Sequence, residues 1–216
     1  MPLYPPTGLL PANNLSDVAV AATAFSNIKQ NASETATGVV EQATQTEVNT
    51  GTDTSRFIVP ATLHAKPGQV MQVVSTQTGA VATGTTVLPY DDTIPQNTEG
   101  IEFMTLAITP KNTNNILIID VVYMATNSAA VAISAALFQD TTADALAAIM
   151  LYPGGAGNQS SNSFRHKMTA GTTSSTTFKV RIGGSGAGTT TFNGDTGARK
   201  FGGVMASSIT IVEVVP

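Results

Sequence analysis

The sequence predicts a mainly β protein: an N-terminal segment with short helices, then an antiparallel β-sandwich, jelly-roll-like, as a C-terminal head. Three observations predict it. Nine apolar runs of strand length follow Lys66, separated by turn-rich loops, which is the pattern of a sandwich or barrel. Thr supplies 33 of the 216 residues and Gly 19; Thr is β-branched and polar, which suits a strand with one wet face. Charged residues make up only 11%, against about 25% in an average soluble domain, so hydroxyls and amides carry the polar surface.

Residues 1–66 form the first segment and 67–216 the head. Four prolines within residues 1–13 predict extended or turn-like chain. Ser16 is a good N-cap, with Leu15 and Val20 placed as a hydrophobic staple. Val18, Ala21, Ala22, Phe25 and Ile28 then recur at helical spacing, predicting a helix over 17–29. Residues 31–66 are polar, with apolar side chains scattered singly. Within them Gly38 to Glu41 suggests a short strand, Thr50-Gly51-Thr52-Asp53 a turn, and Pro60 the first residue of a short helix. Alone, this segment is poorly equipped to fold as a monomer. Lys66-Pro67-Gly68 marks the boundary.

Strands are predicted over 70–74, 80–88, 101–108, 116–124, 130–139, 146–152, 164–170, 176–182 and 208–215. Loops are predicted over 89–100, 110–115, 140–145, 152–163 and 183–203. Ala143, Leu146, Ala147 and Met150 also fit helical spacing, but the low charge there favours a strand. Ile116 to Ile119 and Val121 to Met124 are apolar on both faces. In 130–138 one face is large and the other small. A sandwich leaves one face of each sheet outward, so these strands predict either cover by a loop of the same chain or a subunit interface.

Charge is unevenly placed. The chain carries ten basic and fourteen acidic side chains, net −4, which argues against a nucleic-acid binder. Between Lys111 and Arg165 only Asp120, Asp140 and Asp144 are charged, so this stretch is expected to be hidden. Zero Cys excludes disulfides, thiolate zinc sites and a cysteine nucleophile. No basic start followed by an apolar stretch opens the chain, and no apolar run approaches the roughly 20 residues that span a bilayer. The expectation is a soluble protein made without a cleaved export signal and without membrane insertion.

Few residues suggest chemistry. His64 and His166 share no metal-ligand spacing. Asp91, Asp92, Glu99 and Glu102 are the densest acids; paired carboxylates can hydrolyse glycosides, but Pro89 to Pro95 reads first as a turn. No Gly-x-Ser-x-Gly elbow occurs. The Gly-rich run 183–188 lacks the Lys-Ser/Thr of a phosphate cradle. No cofactor or metal and no enzymatic activity are expected.

The N-terminal third carries a family resemblance. Asn14-Leu15-Ser16-Asp17, Ala21-Ala22-Thr23-Ala24 and Asn27-Ile28 are similar to the opening element of phage tail fibres. Ala36-Thr37-Gly38-Val39-Val40-Glu41-Gln42-Ala43-Thr44, Glu47 to Asp53 and Val59-Pro60-Ala61-Thr62-Leu63 resemble the segments that follow it. Residues 70–216 resemble, less specifically, the distal domains of fibre and tail-tip proteins. The resemblance implies a parallel homotrimer with an interwoven N-terminal stalk and a receptor-binding head. It implies a virion protein assembled in the host cytoplasm, with other tail or baseplate proteins as partners. The receptor would be a bacterial surface glycan, such as capsule or lipopolysaccharide, or an outer-membrane protein. It carries no catalytic residues. The receptor-binding residues expected on this reading are Tyr90, Asp91, Asp92, Tyr152, Arg165, His166, Arg199 and Lys200, because polar or aromatic groups in loops reach a ligand. The competing expectations are a capsule-degrading or deacetylating spike, and a purely structural virion component.

Overall fold

The computed structural model describes residues 40–64 and 66–216, and the chain divides into the units Met1–Lys66 and Pro67–Pro216. The helix expected over 17–29 lies outside the described residues, as do positions 38 and 39 of the expected strand over 38–41. Val40 and Glu41 are not in a strand; the local pairing is instead a single parallel bridge between Gln42 and Phe57.

In the first unit the polar segment holds two short helices, α1 (Gln45–Thr50) and α2 (Pro60–His64). Helix α1 exists because its ends are satisfied. The Thr44 side chain accepts from the Glu47 N–H, while the Glu47 carboxylate accepts from the Thr44 N–H at 2.9 Å, a reciprocal capping box. Gly51 then closes the helix at φ 70°, its N–H donating to Glu47 at 2.9 Å. Val48 is its one buried residue, so no apolar periodicity announced it. Pro60 opens α2 at the first helical position, as the sequence predicts. Arg56 gathers three carboxylates, Glu41 at 3.2 Å, Glu47 at 2.9 Å and Asp53. The backbone N–H and hydroxyl of Ser55, then Arg56, hold the Asp53 carboxyl far below the usual range. Ala43 and Val48 are buried, whereas Phe57, Ile58 and Leu63 stay about half exposed. The segment therefore leaves much of its own apolar surface in water.

The second unit is a two-sheet antiparallel sandwich, with all its strand pairs antiparallel. Its strands are β1 (Val70–Thr78), β2 (Ala82–Gly84), β3 (Ile101–Ile108), β4 (Ile116–Asn127), β5 (Ile133–Gln139) and β6 (Ala147–Leu151). They continue with β7 (Ser160–Thr169), β8 (Thr176–Gly184), β9 (Thr190–Phe192), β10 (Gly194–Asp195), β11 (Ala198–Arg199) and β12 (Ser207–Val214). One sheet runs β1-β12-β4-β9-β2 with β7 also on β4; the other runs β3-β8-β5-β6; β10 and β11 form a separate hairpin. Inward residues of both sheets meet in one core. Leu117, Ile119, Val121, Tyr123, Ile209 and Ile211 from the first sheet face Leu137, Phe178, Val180 and Ile182 from the second. Phe103 and Phe192 stack at 4.9 Å.

Three sequence expectations change. The run 80–88 is strand only at Ala82–Gly84, because the chain then leaves the sheet and crosses β5. There Leu88 donates its N–H to Gly184 at 3.0 Å and packs with Ala136 and Phe138, joined by Ala145. That crossing settles the small face of β5: a loop of the same chain covers it, so this part of the charge-poor stretch is not a subunit interface. The segment 147–151 is a strand, as expected over 146–152, because it pairs with β5 from Ile133↔Leu151 to Leu137↔Ala147. The loop expected over 183–203 contains the buried end of β8 together with β9, β10 and β11; strands of two or three residues are too short to show a period. The loop expected over 152–163 is likewise cut short, since β7 begins at Ser160, opposite Ala125 of β4.

One buried carboxylate ties the loop 110–115 to the sheet. Glu213 has no exposed surface. It accepts from the Lys111 N–H at 2.8 Å, the Asn112 N–H at 3.4 Å, the Asn115 amide at 2.6 Å and Gln72. Burial pushes its carboxyl up, but the bonds from Asn115, Gln72, Lys111 and Asn112 outweigh burial and hold it below its ordinary value.

Glu213→Ala orphans four donors and is expected to cost about 3 kcal/mol in chemical denaturation. Because the folded carboxyl titrates below the unfolded one, the contribution is complete above about pH 4.5, the unfolded value, and is lost as pH falls through the folded value. The stability difference between the native chain and Glu213→Gln should therefore shrink on acidification. In the first unit, Thr44→Ala removes the cap and should cost about 1 kcal/mol; amide exchange at Val48 and Gly51 should quicken about fivefold.

Candidate interaction surface

The outer face of the larger sheet is where the described residues of the second unit leave apolar surface uncovered. Along β4, Leu117, Ile119, Val121, Tyr123 and Ala125 point inward with no exposure, and Ile116, Ile118, Asp120, Val122 and Met124 alternate outward. Register carries the pattern across strands. Val70, Val214 and Ile116 form one row over β1, β12 and β4, and Val73, Val212 and Ile118 form the next. A bulge between Val70 and Gln72 keeps Val70 and Val73 on the same side. Val70 is 52% exposed, Val73 56% and Val122 38%. The next row is polar: Ser75 and Thr210 share a hydroxyl contact at 2.8 Å, and Asp120 faces Arg165. Six aliphatic side chains in two adjacent rows, without a charge among them, form a continuous apolar patch of the kind that marks an interface.

The residues expected to bind a receptor fall in separate places. Tyr90, 66% exposed, lies on the loop before β3. Asp91 beside it is held in its own turn: its Oδ1 accepts from the Thr93 hydroxyl at 2.6 Å and the Thr93 N–H at 2.9 Å, which lowers its pKa. Asp91 and Asp92 line a shallow cleft with Ile94, Ala145, Ala147 and Ala148, at the start of β6. Tyr152 lies just past the other end of β6, exposed, its hydroxyl donating to the Ala130 carbonyl at 3.4 Å. Arg165 faces outward on β7 and is engaged: its Nε and Nη2 donate to Asp120 at 2.6 and 3.1 Å, which raises its pKa. His166 alternates to the inner side opposite Ile119, and burial pushes its pKa down. Arg199 and Lys200 share the β10–β11 hairpin, Lys200 Nζ lying 3.5 Å from Asp195 Oδ2. The fold thus brings Arg199 and Lys200 together. It sets Arg165 and His166 on opposite faces of one strand, and Tyr90 to Asp92 and Tyr152 at opposite ends of another.

The remaining acids are also held by their surroundings. Glu99 accepts from the Gln96 N–H at 2.9 Å, and Glu102 sits 3.8 Å from both Lys179 and Arg181. Among the described residues no cluster of His, Asp and Glu has the geometry of a metal site. The sequence reading missed a second exposed feature. Directly after Lys200, Phe201 is 77% exposed and Val204 82%. Phe201 adopts φ 48°, a conformation costly for a bulky side chain, so the backbone holds this ring outward at a price in strain. Gly202-Gly203 was its only signal, and that read as ordinary loop.

The chain is similar to several solved structures at low identity. It aligns with Eiger TNF from S. frugiperda at 10% identity and a TM-score of 0.38, over 66% of this chain and 92% of that one. It aligns with the VP2 subviral particle of infectious bursal disease virus at 11% and 0.33, over 70% and 39%. With the enzymatically active domain of bacteriophage CBA120 tailspike protein 4 the values are 16% and 0.23, over 64% and 22%. No curated protein matches the sequence. The family model described as the Pgp3 C-terminal domain matches residues 86–216, from the crossing over β5 through β12 to the last residue. That is more than half of the sequence, and the chain belongs to the Pgp3 C-terminal domain family.

Proposed function

We propose that this chain is a homotrimeric, non-enzymatic surface-binding protein of a phage tail-fibre kind. Its jelly-roll-like head is held by three-fold association and adsorbs to a bacterial host glycan or outer-membrane receptor. The observation that carries the reading is the uncharged aliphatic patch of Val70, Val73, Ile116, Ile118, Val212 and Val214. Full burial of a Val or Ile side chain is worth about 1.5–3 kcal/mol, so covering two such rows in every copy supplies a driving force that a monomer forgoes. Membership of the Pgp3 C-terminal domain family supports a trimer. The half-exposed Phe57, Ile58 and Leu63 point the same way in the first unit, where three copies would share an interwoven stalk. The resemblance of residues 14–66 to tail fibres supplies the adsorption reading and, with it, a place in the virion beside other tail proteins.

Three of the four acids that would serve a capsule-degrading spike, Asp91, Glu99 and Glu102, are engaged locally, so the binding reading is preferred over the enzymatic one. Weak single sites suffice for adsorption when several trimers engage one cell, because tethering raises the effective concentration of each further contact.

Mass photometry of the purified chain should give a trimer at micromolar concentration, and Val73→Glu with Ile118→Glu should convert it to monomer; a monomeric native chain ends the association reading. Pre-incubating sensitive bacteria with the purified protein should block phage adsorption. Unimpeded adsorption across sensitive strains removes the receptor reading, and reducing-end or acetate release from cognate capsule would restore the enzymatic one.

A further inference from the structure

We infer that the crevice between the β10–β11 hairpin and the far end of the larger sheet is a binding subsite for one neutral pyranose ring with adjacent hydroxyls. The inference rests on the surface-binding reading for the origin of its ligand, whereas the crevice itself stands on its own geometry.

Its floor is a row of threonines. Thr83 on β2 pairs with Thr191 on β9, and Thr191 pairs with Thr126 on β4, so three hydroxyl side chains lie abreast on one face. Its roof is the hairpin. Thr126 Oγ1 donates to the Gly194 carbonyl at 3.2 Å, and the Gly197 N–H donates to Thr191 Oγ1 at 3.1 Å. Gly194 is required where the hairpin doubles back, because a Cβ there would collide with the Ala198 carbonyl. Ser128 and Thr189 close the side, with the Thr189 N–H donating to Ser128 Oγ at 2.9 Å. The enclosed space is about 280 Å³. That is at the lower edge of the roughly 300–1,000 Å³ of small-molecule clefts, the scale of one ring rather than a chain of them.

Hydrogen-bond accounting selects the ligand. Thr191 and Ser128 are used here as acceptors, so each keeps its hydroxyl proton to donate. The hydroxyls of Thr83 and Thr189 engage no protein group among the described residues. Against these donors stands one strong acceptor. Asp195 lines the crevice with its side chain 31% exposed, and its Oδ2 lies 3.5 Å from Lys200 Nζ. A carboxylate oxygen takes more than one donor, and a ligand hydroxyl that supplies the second gains a charge-assisted bond. The occupant must therefore donate at Asp195 and accept from the threonines within one ring's width. An alcohol does both through the same atom. The Asp195–Lys200 pair leaves little net charge to attract an ion of either sign. The threonine methyls interleaved with the hydroxyls match the alternating C–H and O–H groups of a pyranose. No aromatic platform lines the crevice, so single-site binding is weak and gains from the avidity of a trimer.

The test titrates the full-length protein, in its native oligomer, with methyl glycosides of glucose, galactose, mannose, rhamnose and N-acetylglucosamine, using saturation-transfer NMR and calorimetry. At least one glycoside should saturate. Asp195→Asn, which keeps shape but loses charge, and Thr83→Val, on an exposed edge strand, should each weaken it about tenfold or more with unchanged thermal midpoints. The inference is overturned if no glycoside binds, if binding is unaffected in both variants, or if calcium chloride saturates the crevice while glycosides do not. Adsorption separates the two readings. Glycoside binding without any block of phage adsorption refutes the receptor reading alone. Intact adsorption blocking by a protein that binds no glycoside refutes the crevice alone.

Discussion

The fold depends on strand β4, twelve residues long and hydrogen-bonded to β12, β7 and β9. Its inward side chains are wholly buried among both sheets, and its outward ones from Ile116 to Val122 lie on a face that the described residues of the second unit leave open. A strand with partners along both edges cannot slip by one residue without turning Leu117, Ile119, Val121 and Tyr123 out of the core. Its register is therefore strongly determined, and through it the positions of every strand that pairs with it. The same rigidity delivers Ile116 and Ile118 into line with Val212, Val214, Val70 and Val73, so the interaction face follows from the core.

The outer faces of the two sheets show how differently one chain can treat similar sequences. Strand β5 is apolar and small on its outer side, and the crossing segment from Thr85 to Leu88 closes over it. Strand β4 carries Ile116, Ile118 and Val122 on its outer side, and among the described residues of the second unit nothing closes over them; the β10–β11 hairpin covers only the Thr126 end. The shortage of charge between Lys111 and Arg165 therefore has two causes: burial within the protomer at β5, and an open apolar face at β4. Because the chain has no disulfide to brace it, loops are held by polar anchors instead. Glu213 gathers the loop before β4 with three hydrogen bonds and takes a fourth from Gln72 on β1, and Asn193 joins Thr78 and Ala80 to the hairpin region at 2.7 and 3.2 Å.

Hydroxyl side chains serve two purposes in this protein. On most strands Thr and Ser simply keep the outer face wet. Around β2, β9 and the end of β4 they are brought into a single row and roofed by the hairpin, which turns a wet surface into an enclosed one. Thr126 makes the contrast plain: it lies on the outward side of β4, yet it is only 2% exposed. A buried polar row of that kind persists only where each hydroxyl has a backbone group or a ligand to satisfy it.

Much of the fold was legible in residue order. The runs 101–108 and 116–124, and the pairing competence of 146–152, follow from side-chain alternation and low charge, which are local and periodic. The boundary near Lys66 and the helix opened by Pro60 follow from composition and from proline's fixed backbone angle. Helix α1 was not legible, because its signal lay in the Thr44–Glu47 cap rather than in an apolar stripe. The strands between Thr190 and Arg199 were not legible either, because two or three residues cannot display a period. The functional side chains were least legible of all. Whether Arg165 is paired with Asp120, whether His166 faces inward, and whether Asp195 shares a crevice with threonines of three strands depend on register between segments up to about a hundred residues apart. The sequence by itself determined which segments are strands and how little charge they tolerate, since those are properties of neighbours in the chain. Only the tertiary structure decided which apolar face stays open and which hydroxyls share a crevice, since those depend on which distant strands lie side by side.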